Sequence, residues 1–200
     1  MKLFIFDLGG VCIFNFQTIG KIAHHYHIDE TFLHDNFFAI EEKIMEGTLT
    51  EKAWWLSVTE TLRGKMSLDE NANPLVDLFT PRKNDVVLDL ILQMKQNGAH
   101  VVCGSNTCEN HWKLMNACGN LENVFDTCYL SQRMHIAKPK KEFFEYILEK
   151  ENVRARDAFF VDDMKANVES ANAVGLQTLL FQDTPSWSAY DKLKSLVLTK

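Results

Sequence analysis

The sequence predicts an α/β protein, with a Rossmann-like three-layer core around a parallel sheet and a small all-helical domain inserted after the first strand. Three observations carry this reading. A short apolar run, Leu3-Phe4-Ile5-Phe6, ends abruptly in Asp7 and a glycine pair. The stretch from Phe14 to Lys83 then shows helical periodicity and nothing that reads as a strand. Beyond it, strand-like and helix-like segments alternate, the pattern of a parallel sheet covered on both faces.

The elements follow in order. Residues 3–6 form a continuous aromatic and β-branched run, as expected of a central strand buried on both sides. Gly9-Gly10 turns the chain. The spacing predicts helices over 17–23, 32–45, 52–62 and 69–78. Phe37, Ile40 and Ile44 recur at helical intervals, as do Trp55, Val58 and Leu62. Gly47 ends one helix and Thr50 caps the next. Ser67-Leu68-Asp69-Glu70 has the form of a capping box opening the last. A helix over 86–97 is closed by Gly98, and strands follow over 99–104 and 127–130. Then come a helix over 140–150, a strand over 158–161, a helix over 166–174 stopped by Gly175, a strand over 177–181 and an amphipathic helix over 187–197. The core is therefore assigned to residues 1–14 and 84–200, and the insert to 15–83.

Composition narrows the function. The chain has 200 residues, 46% hydrophobic and 24% charged, enough for one well-buried core and a modest second module. The net charge is -6 and the basic residues are scattered, which argues against a nucleic-acid partner, since phosphate contacts dominate that affinity. Cys12, Cys103, Cys108, Cys118 and Cys128 are odd in number and form no CxxC pair, so reduced thiols are expected rather than disulfides or zinc. No segment reads as a secretory signal or membrane span. A soluble cytoplasmic protein with no membrane partner is expected.

In open α/β sheets, ligands bind at the carboxyl ends of the strands. Three predicted strands here end in polar groups: Asp7, Ser105-Asn106-Thr107, and Asp162-Asp163. Lys138-Pro139 opens the helix over 140–150. Each has a purely structural explanation. Asp7 suits a turn, Ser105 or Asp162 a helix cap, and Lys138 a solvated loop. Their shared position at strand ends favours a common site. If the strands are neighbours, three carboxylates, a hydroxyl and an ammonium meet in one crevice. Carboxylates so placed repel one another, and an all-oxygen set suits Mg2+. Phosphoryl transfer needs this combination of positioning and charge neutralisation, with a carboxylate as attacking group.

The segments Phe6-Asp7-Leu8-Gly9-Gly10-Val11, Ser105-Asn106-Thr107, Lys138-Pro139 and Asp162-Asp163-Met164-Lys165-Ala166-Asn167 resemble the four ordered motifs of the haloacid dehalogenase-like hydrolases. The resemblance covers the whole chain, and the insert lies where that family carries its first-type cap domain. It implies that Asp7 is the nucleophile and that Lys138 stabilises nucleophile and intermediate. It implies that Ser105 and Asn106 contact the substrate phosphate together with Lys138. Asp7, Asp162, Asp163 and the backbone carbonyl of Gly9 would hold the magnesium ion. The similarity is to the FDLGG/FDLGN branch, which includes sugar-1-phosphate phosphatases.

Gly9 departs from the family's phosphatases, which usually carry there an Asp that protonates the leaving group and activates water. General acid–base catalysis contributes roughly 10²–10⁴-fold. A cap residue or water substitutes for it, or the leaving group needs less protonation, or turnover is slow. The resulting expectation is a magnesium-dependent phosphatase that acts on a small phosphorylated metabolite, such as a sugar phosphate, through an aspartyl-phosphate. Two rivals stand beside it: a metal-independent 2-haloacid dehalogenase, and a non-catalytic protein binding a phosphorylated ligand. His24, His25 and His27 are too irregularly spaced for a metal pair and read as cap surface. Trp54 and Trp55, being adjacent, are expected to point one into the cap core and the other towards the crevice. Lys140, Lys141 and Lys165 either raise the potential near the phosphate or are simply solvated.

Overall fold

The computed structural model describes residues 2–182 and 188–198. The strands are β1 (Leu3–Phe6), β2 (Ile13–Phe14), β3 (Arg82–Lys83), β4 (His100–Ser105), β5 (Thr127–Leu130), β6 (Ala158–Asp162) and β7 (Gln177–Leu180). Five of them form a parallel sheet in the order β5-β4-β1-β6-β7. Phe6 of β1 pairs with Cys103 of β4 on one side and with Val161 of β6 on the other. The three polar strand ends are thus neighbours, and strand order reverses about β1.

Residues of β1 alternate between two apolar layers. Leu3 and Ile5 join Val102, Ala158 and Phe160 against Phe143, Phe144 and Ile147 of the Lys141–Glu151 helix. Phe4 and Phe6 join Val101, Cys103 and Val161 on the other face. There they meet Leu88 and Ile91 of the Asp85–Gln96 helix, and Trp112 and Met115 of the Glu109–Gly119 helix. Helices on both faces are the reason β1 is apolar at every position.

The stretch between β2 and β3 is helical, with helices Ile19–Tyr26, Glu30–Phe38, Glu41–Met45, Glu51–Leu62 and Pro74–Asp77. They enclose a separate apolar cluster built on Ile22, Leu33, Ile44, Trp54, Trp55, Val58 and Leu75. The chain enters and leaves this block side by side. β2 and β3 pair antiparallel, Asn84 N and Nδ2 donate to Cys12 O and Val11 O, both at 2.8 Å, and Asn15 Nδ2 donates to Thr80 O at 2.7 Å.

Several expectations are corrected. A two-residue strand stands at each end of the helical block, because the two crossings run close enough to share hydrogen bonds. The helix expected over 32–45 is two helices broken at Ala39-Ile40; the first starts early because Asp29 caps it, accepting from Phe32 N at 2.7 Å. The capping box at Ser67–Glu70 does not open a helix. Asp69 Oδ1 accepts from Asn71 N at 2.8 Å in a local turn, and the helix begins only at Pro74, whose ring disfavours helical backbone at Asn73. Trp54 and Trp55 are both fully buried, so neither lines the crevice; Trp55 Nε1 donates to Asp69 O at 2.8 Å. The final helix is Ala189–Leu198, and Trp187, where it was expected to start, lies outside the described residues.

Other expectations match. Gly47, Gly98 and Gly175 adopt positive φ at helix ends, Thr50 Oγ1 accepts from Ala53 N at 3.2 Å, and His24, His25 and His27 are exposed. All five cysteines are free thiols. Among the described residues, no helix is long and apolar enough to cross a membrane.

Phe160 has no exposed surface and stacks edge-on against Phe144 at 5.0 Å, at the middle of the sheet. Phe160→Ala should cost about 3–5 kcal/mol by urea unfolding. A loss under ~1 kcal/mol would mean that this layer collapses around the gap.

Candidate active site

The three carboxylates meet where β1, β4 and β6 end. Asp7 directly follows β1, and its backbone N–H continues the ladder by donating to Val161 O at 2.9 Å. Asp162 is the last residue of β6 and Asp163 the next. Asp7, Asp162 and Asp163 each present an oxygen within 4.8 Å of the others. Lys138 Nζ lies between two of them, 2.8 Å from Asp7 Oδ1 and 2.7 Å from Asp162 Oδ2, with its side chain almost wholly buried.

Each of these groups is held by neighbours. Asp162 accepts from Met164 N at 2.7 Å and from Asn167 Nδ2 at 3.0 Å on both oxygens. Its carboxylate faces the first turn of the following helix without capping it, since the cap position there is Met164. Asn106 and Lys138 brace each other: Asn106 Nδ2 donates to Lys138 O, and Lys138 N donates to Asn106 Oδ1, both at 2.8 Å. The Asn106 amide is thus committed to the lysine's backbone. Ser105 is buried at the end of β4, its Oγ 3.5 Å from Asn106 O, and it caps no helix; the following helix has Cys108 at its cap position.

The two glycines differ. Gly10 has φ +73°, and a Cβ there would sit 2.2 Å from Asp163 Oδ2, so only glycine lets the turn pass beneath that carboxylate. Gly9 is not at positive φ, and its Cβ position is 3.4 Å from the Phe16 ring, an ordinary contact.

The helical block is anchored beside this site. Ser131 Oγ donates to Met45 O at 2.5 Å, and His135 Nδ1 donates to Glu46 O at 2.8 Å. Lys140 binds Glu42 and Glu46 at 2.5 and 2.6 Å. Lys140 therefore ties the block to the core, and Lys165 pairs with Glu169 at 3.4 Å.

Electrostatics follow from burial. Burial pushes the Asp7 carboxyl up, Lys138 opposes this, Asp162 adds to it, and the result is about 7. Burial and the charge of Asp162 raise Asp163 to about 6. For Lys138, burial alone would lower the pKa, but Asp162 and Asp7 overcome it and hold the ammonium above its ordinary value. Three carboxylates against one ammonium leave two formal negative charges in the crevice. An all-oxygen, doubly negative cluster fits a hard divalent cation such as magnesium.

Sequence reasoning named the charged groups but missed what holds them. Asn167 lies five residues after Asp162, one turn into the next helix, a spacing that could have signalled its role. Nothing local distinguishes Phe16, because its approach to Gly9 depends on how the chain climbs into the helical block.

The raised carboxyls predict a pH effect on the metal-free protein. Their folded pKa values exceed the unfolded one near 3.8, so the folded state binds more protons between about pH 4 and 7 and stability falls as pH rises through that window. Asp163→Asn should be more stable than the parent at pH 7 and lose that advantage at pH 4, as measured by urea unfolding in EDTA. An equal gain at both values would deny the strain.

Known proteins share this fold. The model of the haloacid dehalogenase-like hydrolase family matches residues 1–175. The D-ribitol-5-phosphate phosphatase of Bacteroides thetaiotaomicron is 23% identical over 206 aligned residues, spanning 94% of this chain and 95% of that protein. A crystal structure of a HAD family enzyme from the same organism, in complex with magnesium and inorganic phosphate, is 28% identical, with a TM-score of 0.70 over 94% of this chain and 98% of that one. The drimenol cyclase drtB of Aspergillus calidoustus is 27% identical over 161 residues, which are 71% of this chain but only 30% of that longer protein. The chain belongs to the haloacid dehalogenase-like hydrolases.

Proposed function

We propose that the protein is a magnesium-dependent phosphatase acting on a small phosphorylated metabolite, such as a sugar phosphate, with Asp7 as nucleophile. One observation carries the reading: a buried ammonium bridging Asp7 and Asp162, with Asp163 alongside, at the ends of adjacent parallel strands. A dehalogenase that needs no metal gives no reason for two further carboxylates beside the attacking one. The similarity to a ribitol-phosphate phosphatase and to a structure with bound magnesium and phosphate supports the same choice.

Asp7, Asp162, Asp163 and the Gly9 carbonyl would hold the magnesium ion, which neutralises charge on phosphoryl oxygens. Lys138 keeps Asp7 aimed outward and meets the phosphoryl group with positive charge. The Ser105 hydroxyl and the backbone N–H groups after it receive phosphoryl oxygens. Asn106 positions Lys138 through its backbone. Asp7 attacks phosphorus to form the aspartyl-phosphate, and water then releases inorganic phosphate. Residues 15–83 act as a cap that closes over the crevice and restricts it to small substrates. In this reading the enzyme works in the cytoplasm and needs no nucleic-acid or membrane partner.

Phosphate release from a panel of small phosphomonoesters should depend on magnesium and stop in EDTA. Asp7→Asn should reduce it to background, and Lys138→Ala should lower kcat about 10²–10³-fold. Undiminished turnover by a folded Asp7→Asn variant would rule out this mechanism.

A further inference from the structure

We propose that Ser131 is a positioning residue, whose hydroxyl couples the docking of the helical block to the turn Ser105-Asn106-Thr107 at the end of β4. The inference rests on the phosphatase reading above, in which that turn receives the phosphoryl group. Ser131 directly follows β5, the strand beside β4, and has no exposed surface. Its Oγ accepts from Thr107 N at 3.0 Å. It also lies within reach of two carbonyls, Met45 O of the helical block at 2.5 Å and Thr107 O at 3.3 Å. A hydroxyl has one proton to give, and the shorter contact takes it. With the block docked, Ser131 therefore accepts from the turn and donates to the block. When Met45 O withdraws, the proton turns to Thr107 O, and both backbone groups of Thr107 draw on the one hydroxyl.

The contact is built from more than one bond. Glu46 O accepts from His135 Nδ1 at 2.8 Å, just past the helical turn Ser131–Met134. Gly47, at φ +70°, passes so close that a Cβ there would stand 2.8 Å from Gln132 O. Backbone on both sides of that approach leaves no room for a side chain. Three consecutive residues of the block thus meet Ser131, Gln132 and His135. The same stretch of core chain grips the turn a second time, where the Asn106 amide pairs with Lys138 N and Lys138 O, both at 2.8 Å. Ser105 Oγ lies on a turn whose next two residues are fixed in this way, one by Lys138 and the other by Ser131. Thr107 is buried, and a buried N–H left without its acceptor costs more than the bond itself contributes. Loss of the Ser131 hydroxyl therefore shifts the turn, and the phosphate site with it.

The test is calorimetric titration of the full chain with inorganic phosphate in the presence of magnesium, and with magnesium alone. Ser131→Ala should weaken phosphate about three- to tenfold, the effect of one or two hydrogen bonds. Its affinity for magnesium should be unchanged, since Asp7 and Asp162 are held by Lys138 and Asn167. Gly47→Ala keeps the hydroxyl but pushes the block away from Gln132, and should also weaken phosphate, about threefold. In the Ser131→Ala background it should have no further effect, because both substitutions break one coupling. A serine with a merely structural role would lower the thermal unfolding temperature and leave phosphate affinity intact. That result, additive losses from the two substitutions, or equal losses for phosphate and magnesium would overturn the role of Ser131 while leaving a phosphatase. Should Ser131→Ala fail to fold, Gly47→Ala decides, and unaltered phosphate affinity there overturns the coupling. A wild-type protein that neither binds phosphate nor turns over any ester above the Asp7→Asn background would remove the phosphatase reading and this inference together.

Discussion

The Lys138 ammonium, buried between Asp7 and Asp162, is the contact around which the rest of the site is arranged. Burying a lysine is costly unless its charge is met at close range, and the 2.8 and 2.7 Å contacts do this. They exist only because β1 and β6 are adjacent and in register, so that Asp7 and Asp162 emerge at the same level. Lys138 comes from a loop far along the chain and is fixed by Asn106 at the end of β4. Three strands and one loop thus converge on a single charge.

Asp7 and Asp163 have their carboxyl pKa raised, chiefly by burial, while Asp162, 0% exposed, is surrounded by donors. Such strain persists where the surrounding fold over-determines the geometry, here through Asn167, Met164 N and the Gly10 turn. A doubly negative crevice at strand ends suits a hard divalent cation, and the Lys138 ammonium limits the repulsion there.

The helical block is coupled to this centre at two levels. The β2–β3 ribbon and the Asn84 and Asn15 hydrogen bonds hold its two chain crossings together. Further out, Met45 and Glu46 meet Ser131 and His135, and Lys140 reaches across to Glu42 and Glu46. Lys140 is two residues from Lys138, so the loop that carries the central ammonium also carries the tie to the block. The Lys140–Glu42 pair is exposed, and an ion pair of that kind contributes little to stability.

The sequence by itself determined the α/β alternation, the helical insert and the identity of the charged groups. Those signals are local: continuous apolar runs for strands buried on both faces, helical spacing over 15–83, and acids placed where such strands stop. Asp7, Ser105, Asp162 and Asp163 were legible because a polar residue ending an apolar strand needs an explanation, and Lys138 only through the resemblance of Lys138-Pro139 to a family motif. Only the tertiary structure decided how they sit together. Adjacency of β1, β4 and β6 depends on crossover connections that no local pattern encodes. The commitment of Asn106 to Lys138, the burial of both Trp54 and Trp55, and the approach of Phe16 to Gly9 depend on packing between distant segments. The failed helix start at Ser67 has the same origin in reverse. A valid local signal was overruled by Pro74 and by the turn that presents Asp69 O to Trp55.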